Sequence, residues 1–272
     1  MGGDGEPINS YDLLKLFALL TMFVDHIGFF FFPEYSWMRL VGRLSFPCWM
    51  FLIGYANTRR LAPDIIAGAV ILLVHNIVMG QYILPLNMLI TILTVRALLG
   101  KFAVDTFRSR ALFFASLVIS VILVFPSGIL LEYGTLAYMM ALFGYYIRHR
   151  AEVTLKQWEI VIFITVVYFS TVIIEVIFFG FLPQQALCYA VLLIIEMFVL
   201  MFFQPRQFVK LTSYMPSFMV DIICFCGRQS LWIYVVHLLI FYFIAFFINA
   251  REIDLFSPHL IYTPLHYDGV EN

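Results

Sequence analysis

Leu14-Lys15-Leu16-Phe17-Ala18-Leu19-Leu20-Thr21-Met22-Phe23-Val24-Asp25-His26-Ile27-Gly28 is the stretch on which the reading of this chain turns. It forms the centre of an apolar run over 11–33. Crossing the hydrocarbon core of a bilayer takes about 17–25 helical residues, so the run is long enough to do so. Yet it carries a lysine, an aspartate and a histidine. An ionisable side chain at that depth costs roughly 2.5–3.5 kcal/mol on insertion scales, and one that is retained marks a functional site by default. At 100° per residue, Lys15, Met22 and His26 share one helical face, with Asp25 beside it.

The rest of the chain is of the same character. Of its 272 residues, 63% are hydrophobic and only 12% are charged, against about 25% charged in an ordinary soluble domain. The mean hydropathy is +0.96. A soluble globule of this size would lack the polar residues to cover its exterior. Soluble enzyme, disordered chain and secreted disulfide scaffold are thereby excluded. The net charge of −1 excludes a broad basic face for nucleic acid.

Reading outward for runs of membrane length places spans at 11–33, 37–57, 64–80, 85–99, 111–128, 133–147, 158–180, 185–203 and 229–249. A shorter apolar segment, 213–227, is open to a re-entrant or an interfacial position. The expectation is an all-α, polytopic membrane helix bundle of about nine transmembrane spans. It forms a single domain over 1–249, followed by a polar C-terminal tail, 250–272, that reads as loosely ordered surface chain. No A-x-A-like cleavage site follows the first run, so it reads as a span and not as a signal peptide. With the N-terminus in the cytoplasm, thirteen of the 16 lysines and arginines fall on the inner side, and only Arg39, Arg43 and Arg251 fall outside. That asymmetry follows the positive-inside rule and puts the C-terminus outside.

Two further spans carry polar residues that hydrocarbon disfavours. Span two opens Trp37-Met38-Arg39-Leu40-Val41-Gly42-Arg43-Leu44-Ser45-Phe46-Pro47. Arg39 lies near the outer boundary, where it can snorkel into water, and Arg43 lies one turn deeper. Gly42 lets a neighbouring helix come close, and Pro47 leaves the carbonyl of Arg43 without its helical donor. A guanidinium at that depth suits Asp25, or an anionic or carbonyl group of a substrate. In span nine, Ser230, Tyr234 and His237 fall on one face at offsets of four and three. A plainer reading stands beside each of these. Asp25 and His26 would only fix helix packing, Arg43 would pair structurally with Asp25, and His237 would make one interhelical hydrogen bond. His75, Asn76, Asn87, Glu132, Tyr133, Glu175, Glu196 and Asp221 read as structural. Cys48, Cys188, Cys224 and Cys226 read as packing residues, since Cys224-Phe225-Cys226 lacks the C-x-x-C spacing. No metal site is indicated, as H-x-x-x-H does not occur and no ligand pair repeats at helical spacing.

The order of these elements is similar to that of a known family. Lys15-Leu16-Phe17-Ala18, Met22-Phe23-Val24-Asp25-His26-Ile27-Gly28 and Gly42-Arg43-Leu44-Ser45-Phe46-Pro47 resemble the TraX family. Asn57-Thr58-Arg59, Asn87, Glu132-Tyr133-Gly134 and Tyr234-Val235-Val236-His237-Leu238 follow in the same order. The resemblance covers roughly 10–250, and the D-H-I-G and G-R-x-S-F-P elements are its specific part. The family is named for a membrane protein that acetylates the N-terminus of conjugative pilus subunits.

The resemblance implies a multi-pass protein of the bacterial inner (cytoplasmic) membrane that acts as an acyltransferase. Its donor would be acetyl-coenzyme A, used as a co-substrate and without a metal. Its acceptor would be a peptide N-terminus, a small amine, or a hydroxyl such as that of a saccharide, and a homo-oligomer is open. Asp25, His26, Arg43 and His237 would be the catalytic set. Lys15, Arg59, Arg60 and Tyr234 would contact the donor, with Arg96 and Lys101 also placed to take its phosphates. His26 would serve as general base, with Asp25 or Arg43 tuning it, while Arg43 or His237 polarises the carbonyl. An acyl-histidine intermediate is the alternative. Two other classes compete with the enzyme: a proton-coupled transporter using Asp25, His26, Arg43, Glu175 and His237 as a relay, and a non-catalytic membrane partner protein.

Overall fold

The structure, a computed structural model, describes residues 7–58, 60–248 and 255–261. Among these residues the regular structure is helical, apart from two short strands. The helices in chain order are α1 (Ser10–Phe31), α2 (Ser36–Gly42), α3 (Ser45–Tyr55), α4 (Pro63–Val78), α5 (Met88–Arg108), α6 (Arg110–Ile122) and α7 (Val124–Leu130). They continue with α8 (Gly134–His149), α9 (Gln157–Phe179), α10 (Pro183–Met201), α11 (Val209–Tyr214), α12 (Ser217–Arg228) and α13 (Ser230–Phe247). The strands are β1 (Tyr82–Leu84) and β2 (His259–Ile261), which pair in parallel with Tyr82 opposite His259 and Leu84 opposite Ile261. Part of the expected surface tail is thus β2, laid against the α4–α5 connection.

Among the described residues four helices, α1, α9, α10 and α13, are each long and apolar enough to cross a membrane. The pair α6 and α7, bent by 62°, makes a fifth if counted as one span. The other runs read from the sequence do not appear as long apolar helices, each for a visible reason. The run 37–57 breaks at Arg43-Leu44 into α2 and α3. The helix α4 has only 16 residues. The helix α5 has 21 residues and runs on past the expected end at 99, but it carries Arg96, Lys101, Asp105 and Arg108. The helix α8 has 16 residues and is wrapped by protein, with Leu136 to Gly144 all buried. The segment near 213–227 is a helix, α12, whose buried side of Val220, Ile223 and Cys224 packs on Ile8.

Lipid and protein faces divide along each long helix. Val161, Ile173 and Ile177 of α9, Leu187, Ile194 and Phe198 of α10, and Val236, Ile240 and Phe247 of α13 are exposed apolar side chains. In a bilayer such faces meet hydrocarbon without penalty, so helix association relies on close backbone approach. The α3–α8 contact shows this. A Cβ added at Gly54 would overlap the backbone of Ala141, and one at Gly144 would overlap the backbone of Phe51. The two glycines let α8 sit in the middle of the bundle. Its N-terminal end is thereby brought beside α1 and α2.

Candidate functional site

The start of α1 is set by a capping box. The Asn9 side chain accepts from Tyr11 N at 2.8 Å and Asp12 N at 3.2 Å, and Asp12 Oδ2 accepts from Asn9 N at 3.1 Å. Three otherwise orphaned amides are satisfied in this way. At 1.5 Å rise per residue, Asp25 then lies about 22 Å along the helix from Ser10. There α2 meets α1. A Cβ at Gly42 would overlap Asp25 itself, so only glycine admits this contact.

Asp25 is 2% exposed and takes two guanidinium groups. Its Oδ2 accepts from Arg43 Nη2 in a close ion pair and from Arg39 Nη1 at 2.9 Å. Arg39 Nη1 also donates to the Asp25 carbonyl at 3.1 Å. Arg39 therefore does not snorkel outward as its sequence position suggested. One turn from Arg43, it shares the same helical face and the same carboxylate. The Phe179 ring at the end of α9 lies 4.3 Å from the Arg43 guanidinium and 5.1 Å from that of Arg39, a cation–π arrangement that replaces part of their hydration. Arg43 Nη1 donates to the Tyr133 hydroxyl at 2.8 Å.

His26 projects toward α13. Its Nδ1 and the Nε2 of His237 are 2.7 Å apart, and the rings stack at 4.9 Å. His237 Nδ1 lies 2.9 Å from the Ile233 carbonyl. A carbonyl can only accept, so His237 Nδ1 carries the proton. In the neutral pair His237 Nε2 is then the acceptor and His26 Nδ1 the donor. His26 Nε2 is left with a free lone pair, 3.9 Å from Asp25 Oδ2. The His26 and Arg39 side chains keep 19% and 17% exposure, which makes them the accessible edge of an otherwise buried centre.

Four of the residues singled out from the sequence thus meet at one place: Asp25, His26, Arg43 and His237. The Tyr234 ring lies 5.8 Å from that of His237. Lys15 stands apart from this centre and donates to the Gly227 carbonyl at 2.8 Å, at the end of α12. Arg60 is exposed, and its carbonyl accepts from Arg96 Nη1 at 3.1 Å. Arg59 lies outside the described residues. Lys101 is exposed, beside the Phe102 ring. Cys48 does more than pack, since its thiol donates to Glu196 Oε1 at 3.0 Å.

The fold brings in three groups that the sequence does not mark as part of the site. Tyr133 and Phe179 touch Arg43, and Glu175 of α9 lies within electrostatic range of it. Both Glu175 oxygens are buried without a hydrogen-bond partner, as are Asp25 Oδ1 and Arg43 Nε. The Glu132-Tyr133-Gly134 turn was visible as a motif, but nothing in one dimension links it to position 43. Beside His237 runs an apolar groove of about 550 Å³ between α1, α12 and α13, lined by Phe23, Phe225, Trp232, Val236, Ile240 and Phe241 among others.

The chain matches the family described as TraX protein over residues 10–245. The protein belongs to the TraX family. The match takes in every residue of the centre, from Asp25 to His237. This TraX-family chain is also 28% identical, over 87% of its own length and 92% of the relative's, to an uncharacterised protein of Rickettsia prowazekii (strain Madrid E). No solved structure matches it.

Proposed function

We propose that this TraX-family membrane protein is an acyltransferase. It moves an acetyl group from acetyl-coenzyme A to an amine, such as a peptide N-terminus or a small amine, or to a hydroxyl acceptor. The observation that carries the reading is the His26–His237 pair. A tautomer set by the Ile233 carbonyl leaves one basic nitrogen, His26 Nε2, beside a carboxylate whose charge is balanced by Arg39 and Arg43. A base for the acceptor proton and positive charge near the developing oxyanion are what acyl transfer to an amine requires.

The donor arrives from the cytosol. Lys15, Arg59, Arg60, Arg96 and Lys101 belong to the inner side in the orientation that places the N-terminus in the cytoplasm, and they suit its phosphates. In that orientation the chain crosses the bacterial inner membrane about nine times. The helices α2–α3, α4, α5 and α8 make the remaining crossings. A second reading, proton-coupled transport, draws on the buried carboxylate Glu175, neither of whose oxygens has a hydrogen-bond partner, since such groups in a membrane serve as relays.

One measurement separates the two. Purified protein in lipid nanodiscs is given radiolabelled acetyl-coenzyme A and a panel of amines and alcohols, and the same protein in vesicles is assayed for flux. Acyl transfer that disappears in a folded His26→Ala variant supports the enzyme. Flux without transfer would select the transporter.

A further inference from the structure

We infer that Tyr133 is a catalytic residue, the phenol whose O–H hydrogen-bonds the acyl carbonyl oxygen as that oxygen becomes negative; the inference rests on the acyl-transfer reading above. Its hydroxyl oxygen accepts from Arg43 Nη1 at 2.8 Å. A phenol has a single proton to give, and among the described residues no acceptor takes it. Arg43 also makes that proton a better donor, because a hydrogen bond received from a cation polarises the one that is given. Arg43 itself has its two Nη groups on Asp25 and Tyr133, and His237 has both ring nitrogens engaged.

The residue is held for this task. Its ring stacks on Phe46 with centroids 3.8 Å apart and planes within 9°. Its backbone sits in the left-handed region at φ 63°, where a bulky residue is rare and stays only if its surroundings dictate it. The conformation tips the ring off the start of α8 and onto α3, under Arg43. His26, Asp25, Arg43 and Tyr133 form one linked series, with the basic nitrogen at one end and the phenol at the other.

The reaction closes with the groups named. The acceptor nitrogen bonds to the thioester carbonyl carbon and its proton passes to His26 Nε2. The carbonyl electron pair moves onto oxygen, where the Tyr133 O–H meets it. As the C=O bond re-forms, the C–S bond breaks, and the sulfur leaves with the pair and takes the proton from His26. An amide and a free thiol result.

The test is Tyr133→Phe, which keeps the ring on Phe46 and removes only the hydroxyl. The acetyl transfer rate should fall about 10²–10³-fold, the range for loss of one oxyanion donor, with an unchanged KM for acetyl-coenzyme A. A second readout does not depend on turnover. The carbonyl-labelled ketone analogue of acetyl-coenzyme A is bound, and its C=O stretch is read by isotope-edited infrared difference spectroscopy. A shift to lower frequency in the native protein that is absent in Tyr133→Phe supports the assignment, even if no acceptor in the panel is acetylated. A variant that keeps more than a third of the native rate, or shows the native carbonyl shift, overturns it. A native protein that neither transfers acetyl nor binds the analogue overturns the acyltransferase reading and this assignment with it.

Discussion

Gly42 of α2 rests directly on Asp25 of α1, so closely that a methyl group at position 42 would occupy the aspartate's own space. This contact brings Arg39 and Arg43 to one carboxylate, and the candidate site depends on it.

The first prediction concerns that contact. Gly42→Ala should separate α2 from α1 and destabilise the protein by about 1–3 kcal/mol, the usual cost of overpacking. It should also abolish any acetyl transfer. Thermal unfolding in detergent reads the stability. A variant as stable and as active as the native protein would show that the close approach is unimportant.

Asp25 and its two arginines should rank unequally. Removing one partner of a buried ion pair costs roughly 3–5 kcal/mol, because the other charge is left without compensation. Asp25→Asn removes the carboxylate that both guanidinium groups share and should be the worst of the three. Arg43→Gln leaves Asp25 with Arg39 at 2.9 Å and should cost less. Arg39→Gln, at the accessible edge, should cost least. Denaturant or thermal unfolding of the three variants gives the order, and a double-mutant cycle with Asp25→Asn and Arg43→Gln should show a coupling within about 0.5–3 kcal/mol.

The imidazole pair predicts a specific protonation pattern. In ¹⁵N-histidine spectra of the protein at neutral pH, His237 Nδ1 and His26 Nδ1 should carry protons, while His26 Nε2 should be bare. His237→Ala removes the group that fixes this tautomer, so transfer should fall about 10²–10⁴-fold, the typical contribution of a positioned acid–base group. A proton found on His26 Nε2 in the resting protein would contradict the assigned base.

Orientation is open to chemical labelling. The ends of α9 lie near Glu152 and Gln184, with one 23-residue span between them. Single cysteines placed at these two positions, after replacement of the four native ones, should react with a membrane-impermeant maleimide from opposite sides. Gln184→Cys should label in intact cells, and Glu152→Cys only in inverted vesicles. Labelling of both from the same side would refute the inward placement of the cationic loops.

Much of this protein is legible along the chain. The long apolar helices α1, α9, α10 and α13 start and stop within about two residues of the runs read for them, because bilayer thickness demands a length that composition alone reveals. Asp25, His26, Arg43 and His237 stand out for the same reason, as polar groups where hydrocarbon disfavours them. The family, too, was recognisable from the spacing of those residues.

The short and bent elements were not legible. Nothing local tells a 16-residue apolar helix at the lipid surface from one such as α8 that is enclosed by protein, since both are uniformly hydrophobic. Nor does the sequence say that Arg39 would turn inward, that Tyr133 would lie under Arg43, or which imidazole nitrogen would stay free. Membrane solvation acts on each residue separately and so writes itself into the sequence. The meeting of Gly42 with Asp25, of His26 with His237 and of Tyr133 with Arg43 depends on how helices remote in sequence pack together, and only the tertiary structure decided it.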